Sequence, residues 1–158
     1  MQKHLQNSNL SVKIGNSMKN NVINFTEKDK YSIDDLLEIM ELLRSENGCM
    51  WDREQTHKSI RDNFIEEVNE AVQEIDTGIK QRLCEELGDV LLQVVFHSRI
   101  AQENNDFDFA DVTDGICKKL INRHPHVFSD TKVESIEDIK SNWEKIKKDE
   151  KFGNSSHD

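Results

Sequence analysis

The chain has 158 residues, a length that suits one domain and leaves little room for two. Its 31 acidic and 21 basic side chains give a net charge of −10. This charge excludes a binder of long nucleic acids, because phosphate contacts need clustered Lys and Arg. With one proline and six glycines, little interrupts the chain, so long helices are predicted rather than a sandwich of short strands.

Cysteine usage and the ends of the chain suggest where the protein works. Cys49, Cys84 and Cys117 are odd in number and far apart, which predicts free thiols in a reducing, cytoplasmic environment. We expect no signal peptide, and no apolar run is long enough to cross a membrane, so no membrane partner is expected. Polar composition predicts flexible tails at 1–30 and 152–158, with one folded domain at 31–151.

Five helices are predicted, and the first begins at Ser32. Asp35 follows three positions later, as in a capping box, and Gly48 is predicted to stop the helix. We expect a loop at 49–57, which contains Trp51.

The second and third predicted helices form the centre of the chain. The second spans about residues 59–77 and ends at Gly78, where apolar residues recur at helical spacing. The third spans about 80–104. The fourth follows Asp108 as N-cap and runs to Arg123, and the fifth begins after Ser135.

The second and third helices each contain a cluster of acids, EEVNE and EELGD. Within each cluster two acids stand three residues apart, Glu67 with Glu70 and Glu86 with Asp89. Each pair therefore projects to one side of its helix. A short connection at Gly78 predicts an antiparallel hairpin, in which the two pairs face one another.

Two interpretations of these acids remain open from the residues alone. Acidic side chains on helices commonly form a solvated face, and this fits the second helix. The third helix differs, because apolar residues cover most of its circumference and predict a central position in a bundle. Its narrow polar stripe consists of Glu86, Asp89, Gln93 and His97. Like charges packed there are unfavourable unless a cation neutralises them, which favours a metal site.

The type of ligand indicates which metal to expect. Carboxylate oxygens suit Mg²⁺, with Mn²⁺ as the alternative, better than zinc. A divalent cation would also allow an acidic site to bind a polyphosphate, because the cation lies between two anionic groups. A di-iron bundle needs two Glu-x-x-His motifs, and that spacing occurs only from Glu54 to His57, in the predicted loop.

Several strings in order resemble the MazG nucleoside triphosphate pyrophosphohydrolases: GCMWDREQTHKSI, FIEEVNEAVQEI, EELGDVLLQVVFHSRIAQE, FDFADV and KLINRHPHVF. The resemblance covers about residues 36–148 and corresponds to one copy of a domain that many members contain twice. It implies an all-α bundle of four to five helices that associates into a homodimer or a higher homo-oligomer. The implied reaction is Mg²⁺-dependent hydrolysis of a nucleoside triphosphate to a monophosphate and pyrophosphate.

The resemblance also implies roles for individual residues. The implied metal ligands are Glu67, Glu70, Glu86 and Asp89. Glu66 and Glu85 match neighbouring acids, which could hold a water molecule next to the metal ligands or act as general base. The residues that match the family's substrate contacts are Lys119, Arg123, Trp143 and Lys147. From their chemistry alone, Trp51 and Trp143 could either stack on a base or pack at a helix junction.

One departure and two alternatives accompany this interpretation. The family usually reads GCPWD, whereas Met50 replaces the proline here, which changes the rigidity of the chain before Trp51. The first alternative is a non-catalytic helical module that binds partners and has solvated acids. The second is a related pyrophosphohydrolase specific for one nucleotide, such as dUTP, dCTP or phosphoribosyl-ATP.

Overall fold

The structure is a computed structural model that describes residue 23 and residues 25–153, with only the backbone described at 152 and 153. The predicted tails therefore lie largely outside the described residues. Within them the chain forms seven helices and no strand, which confirms the predicted all-α class. The helices are α1 (Ile33–Arg44), α2 (Met50–Glu54), α3 (Arg61–Thr77), α4 (Lys80–Glu103), α5 (Phe109–Arg123), α6 (Pro125–Phe128) and α7 (Ile136–Gly153). None of these helices is long and apolar enough to cross a membrane.

The start of α1 agrees with the sequence, and its end does not. Ser32 caps the helix, and its backbone N–H donates to the Asp35 carboxylate at 2.7 Å, which completes the predicted capping box. Lys28 forms an ion pair with the same carboxylate. The helix ends at Arg44, earlier than the predicted stop at Gly48, because the chain leaves helical geometry at Ser45.

The predicted loop at 49–57 is wrong in part, because it contains the short helix α2. The Arg44 side chain donates to the backbone carbonyl oxygens of Asp52 and Gln55, at the end of this helix. The Gln55 carbonyl, just past the helix, takes its donor from Arg44, and the Asp52 carbonyl accepts from Arg44 in addition to the Gln55 backbone N–H. A long-range contact therefore stabilises a helix that local sequence does not predict.

The predicted hairpin of the two central helices is confirmed. Helix α3 ends at Thr77, and Gly78 adopts a left-handed conformation with φ of 71°, which favours glycine. Helix α4 begins two residues later, at Lys80. So short a connection makes α3 and α4 pack as antiparallel neighbours along the acidic clusters.

The last three helices follow local signals that were only partly recognised. Asp108 and Asp111 form a capping box at the start of α5, as predicted for Asp108. Pro125 then begins the short helix α6, which was not predicted. Helix α7 starts at Ile136, and the Asp138 carboxylate accepts from the Ser135 backbone N–H at 3.0 Å.

The hydrophobic core lies at the C-terminal half of α4. Its buried residues are Met40, Ile60, Val95, Phe96 and Ile100, with Leu36, Leu37, Leu92 and Phe109 packed against them. This core joins α1, the beginning of α3, α4 and the beginning of α5. It therefore holds one end of the α3–α4 hairpin, and the acidic clusters lie beyond it.

The N-terminal half of α4 contradicts the prediction that this helix is buried on most of its circumference. Leu87 is 53% exposed and Leu91 is also exposed. Neighbouring helices present further exposed apolar side chains, namely Ile65, Val68, Val72 and Ile75 on α3 and Val112, Ile116 and Leu120 on α5. Within one chain, this apolar face has no cover among the described residues.

Candidate functional site

Three of the four predicted metal ligands converge in the structure. Carboxylate oxygens of Glu67, Glu70 and Glu86 all lie within 4.8 Å of one another. Glu67 and Glu70 are one turn apart on α3, and Glu86 reaches them from α4. The antiparallel hairpin thus brings together acids that are up to 19 positions apart in the chain, as the sequence predicts.

The electrostatics of this cluster are unfavourable for three ionised acids. Burial raises the pKa of Glu67, and the charges of Asp89 and Glu70 raise it further. Burial likewise raises the pKa of Glu86, followed by the charges of Glu70 and Asp89. Both shifts mean that the folded chain disfavours the ionised carboxylates when no cation lies between them.

The remaining predicted acids surround the cluster. Asp89 lies outside the group of converging oxygens but close enough for its charge to act on Glu67 and Glu86. Glu66 is exposed, and its charge also acts on Glu67. Glu85 is exposed and accepts a hydrogen bond from the Gln81 amide at 3.3 Å.

The predicted phosphate contacts form a second group, on α5 and α7. The Arg123 guanidinium donates to the Glu150 carboxylate at 2.7 Å, and Lys119 is close enough to lower the pKa of Glu150 by its charge. The largest cause of that lowered pKa is the hydrogen bond from Arg123. Glu150 was not identified from the sequence, because nothing local links it to a residue 27 positions earlier.

Helix α7 brings the other two predicted contacts to the same region. The Trp143 indole packs edge-on against His124 with ring centroids 5.1 Å apart, and its Nε1 is buried without an acceptor among the described residues. Lys147 donates to Glu144 at 2.9 Å. Arg123, Trp143 and Lys147 therefore lie on packed helices, α5 and α7, as the sequence order suggests.

The acidic group (Glu67, Glu70 and Glu86) and the cationic group (Lys119, Arg123 and Lys147) lie on separate parts of a single chain. Helix α5 packs against α4, α6 and α7, but no Cα atom of α5 or α7 comes within 8 Å of one in α3. The charges that raise the pKa of Arg123 are those of Glu150 and Glu144 on α7, and the charges that lower the pKa of Glu150 are those of Arg123 and Lys119 on α5. The structure of one chain thus assembles each half of the predicted site without joining them.

Trp51 lies near the acidic group. It is 57% exposed on α2, and it lines a cavity of about 230 Å³ that Glu67 also lines.

The fold and this site define the class of protein: an all-α chain with a carboxylate cluster between two antiparallel helices.

Comparison with known proteins identifies the family. Residues 55–128 match the sequence model of the MazG nucleotide pyrophosphohydrolase domain. The chain is 49% identical over 118 residues to the nucleoside triphosphate pyrophosphohydrolase/pyrophosphatase MazG of Thermotoga maritima, covering 75% of this chain and 45% of that protein. It is 44% identical over 126 residues to the nucleoside triphosphate pyrophosphohydrolase of Escherichia coli, covering 79% and 48%. This chain belongs to the MazG family, and it spans just under half the length of these two relatives.

A solved structure supports the same conclusion. The crystal structure of a mazG-related protein from Thermotoga maritima matches with a TM-score of 0.61 at 26% identity, covering 73% of this chain and 98% of that one. The resemblance stated from the sequence is therefore confirmed at the level of family and fold.

Proposed function

We propose that this chain hydrolyses nucleoside triphosphates to nucleoside monophosphate and pyrophosphate in a Mg²⁺-dependent reaction. The observation that carries the proposal is the convergence of Glu67, Glu70 and Glu86 to within 4.8 Å. The names of the relatives, nucleoside triphosphate pyrophosphohydrolases, supply the reaction. Three free thiols support a reducing, cytoplasmic location.

The residues at the cluster fit a hard divalent cation. Mg²⁺ takes oxygen ligands, and Glu67, Glu70 and Glu86 offer carboxylate oxygens that all lie within 4.8 Å of one another and could hold it. The raised pKa values of Glu67 and Glu86 support the same assignment, because a cation would offset the repulsion that causes them. We assign Glu67, Glu70, Glu86 and Asp89 as the ligands, with Mn²⁺ as an alternative to Mg²⁺.

The acids that flank the ligands suit proton transfer. A bound Mg²⁺ supplies charge that polarises phosphate oxygens and lowers the pKa of water. Glu66 and Glu85 are exposed beside the ligands and each has a carboxylate able to accept the proton of the attacking water. Either residue thereby serves as the general base for attack on the α-phosphorus.

The cationic group suits the charge that develops on departing pyrophosphate. Arg123 can bind phosphate oxygens in a bidentate manner, whereas Lys119 and Lys147 act as point charges. Loss of one such cation is expected to slow turnover about 10²- to 10³-fold, by analogy with other donors that stabilise developing charge. Trp143 and Trp51 offer flat surfaces for the nucleoside.

A second copy of the chain is proposed to complete the site. The acidic and cationic groups of one chain are separate, and exposed apolar side chains lie on α3 and α4, which carry the acids, and on α5, which carries Lys119 and Arg123. Large exposed apolar faces on soluble proteins mark contact surfaces. A homodimer that buries this face would bring the α5 and α7 cations of one copy to the acids of the other, and higher oligomers could form from such dimers.

The test is release of pyrophosphate, measured against orthophosphate, from a panel of canonical and altered nucleoside triphosphates with and without Mg²⁺. Glu70→Gln and Asp89→Asn are expected to abolish the metal-dependent activity, while Asp76→Asn, further along α3, retains it. A chain that releases no pyrophosphate from any substrate would instead be the non-catalytic helical module. Activity on a single nucleotide would identify the specific type of pyrophosphohydrolase.

A further inference from the structure

The cavity of about 230 Å³ lies one helical turn beyond the acidic cluster. Asn63, four residues before Glu67 on α3, lines it, as does Gln93, four residues after Asp89 on α4. Because the helices are antiparallel, both steps lead in the same direction away from the carboxylates. Glu67 also lines the cavity, so it is continuous with the cluster.

Gln93 is the unusual side chain in this cavity. The residue is only 8% exposed, and its Oε1 is buried with no hydrogen-bond donor among the described residues. A buried acceptor without a donor costs free energy that an apolar side chain of the same size would not. The Gln93 residue lines the cavity while its Oε1 is closed off from it, so a ligand that brings its own donor reaches Oε1 once the amide turns toward the cavity.

The other walls suit a flat aromatic ligand. Ile60 and Phe96 supply apolar surface from the core, and Trp51 contributes an indole from α2. Asp52 and Asn63 add polar groups at the same cavity. Apolar walls with a few polar groups are typical of small-molecule sites, and aromatic walls suit stacking on a base.

We infer that this cavity receives the base of the nucleoside triphosphate, and that Gln93 distinguishes bases by the group at one ring position. The inference rests on the proposed function, because phosphates bound at the acids would place the nucleoside about one turn away. The Gln93 Oε1 accepts a hydrogen bond from an exocyclic amino group. Adenine and cytosine are therefore favoured over hypoxanthine and uracil, which have a carbonyl oxygen at the same position and would repel Oε1.

Calorimetric titration separates this role from a structural one. The probes are the α,β-methylene analogues of ATP, ITP, CTP and UTP, with Mg²⁺, bound to the full chain. We expect the native chain to bind the amino member of each matched pair about tenfold more tightly, a ratio typical of a lost hydrogen bond in a polar site. In Gln93→Met both ratios are expected to fall close to one. Gln102→Met, at an exposed site on the same helix, should leave them unchanged.

Folding of the variant is checked by thermal melting. Gln93→Met removes no hydrogen bond made by Oε1, so its melting temperature should equal or exceed that of the native chain. If Gln93→Met does not fold, Gln93→Leu replaces it in the same titrations. The inference would be overturned if the folded variant still bound the amino analogue of each pair more tightly than its carbonyl partner. It would also be overturned if the native chain bound both members of each pair equally.

A separate assay of pyrophosphate release distinguishes the two possible failures. Base-dependent binding that needs Gln93, in a chain that releases no pyrophosphate, would refute the proposed function and leave the cavity assignment standing. If the chain releases pyrophosphate but its preference within each pair is the same with and without Gln93, the cavity assignment alone would be refuted. A crystal structure with bound nucleotide in which a water molecule, rather than the base, donates to Oε1 would likewise refute the cavity assignment alone.

Discussion

Arg44, the last residue of α1, donates to the carboxylate of Glu103, the last residue of α4, at 2.7 Å. The Arg44 side chain is only 5% exposed, and it also donates to the backbone carbonyl oxygens of Asp52 and Gln55. One guanidinium therefore connects two long helices to the short helix that bears Trp51. The position of that helix beside the acidic cluster depends on this contact.

Replacing Arg44 should destabilise the fold. Arg44→Met leaves Glu103 without its main partner and the Gln55 carbonyl without a donor among the described residues, which we expect to cost about 3 kcal/mol. The melting temperature, followed by circular dichroism, should then fall by roughly 6–12 °C for a chain of this size. Arg61→Ala, which breaks an exposed pair with Asp62, should change it little. Equal effects of the two substitutions would contradict this role of Arg44.

Acid should destabilise the protein through Asp35. The hydrogen bond from Lys28, then that from the Ser32 backbone, lowers the pKa of Asp35 from 3.8 to about 2. A lowered pKa in the folded state gives stability that is complete above pH 3.8 and lost as the pH falls toward 2. Asp35→Asn should flatten the decline of melting temperature in this range, whereas Asp114→Asn on α5 should leave its slope as in the native chain.

Divalent cations should stabilise the folded chain. Mg²⁺ or Mn²⁺ bound only to the folded state raises the melting temperature in proportion to the logarithm of its concentration. Glu70→Gln removes one charge from the cluster, so it should raise the melting temperature without metal and abolish the rise with metal. Asp76→Asn should retain the rise in melting temperature that Mg²⁺ or Mn²⁺ produces. A native chain whose melting temperature ignores millimolar Mg²⁺ and Mn²⁺ would argue against the metal site.

Local signals in the sequence predicted much of the fold. The capping boxes at Ser32 and Asp108 and the left-handed Gly78 each depend on residues within four positions. The acidic cluster was predictable for the same reason, since spacing within a helix and a two-residue connection determine it. Helix α2 was missed because Arg44, some distance before it, stabilises its end.

Contacts that depend on tertiary packing were not predictable. Gln93 belongs to the polar stripe of α4 by sequence, yet it is buried beside core residues such as Met40 and Phe96, which line the same cavity. Leu87 and Leu91 look like core residues, yet no element among residues 25–153 covers them. Hydrophobic periodicity identifies a face that must be covered, but it does not tell whether the same chain or a second copy covers it.

Glu150 should compete with the substrate for Arg123. The carboxylate accepts from Arg123 at 2.7 Å and from Asn122 at 3.0 Å, so a phosphate must displace it. Glu150→Gln removes the competing charge, and we expect the KM for nucleoside triphosphate to fall about two- to fivefold, in keeping with a half-exposed ion pair, with kcat little changed. Asp114→Asn, which breaks the exposed pair with Lys118, is the control. A higher KM would show instead that Glu150 holds Arg123 in place for the substrate.

Mixing two inactive variants should restore activity if each site uses two chains. Glu70→Gln disables the acidic group and Arg123→Met the cationic group, so each homodimer is inactive. In a mixed dimer one site combines an intact acidic group with an intact cationic group, and the other site contains both substitutions. Random pairing after coexpression should therefore give about one quarter of the native pyrophosphate release, from half of the dimers with one of two sites each. If both groups came from the same chain, no mixed dimer would have an intact site, and the mixture would stay inactive. Dimer formation itself is checked by light scattering, because Val72→Glu on the apolar face of α3 should yield monomers that lack activity.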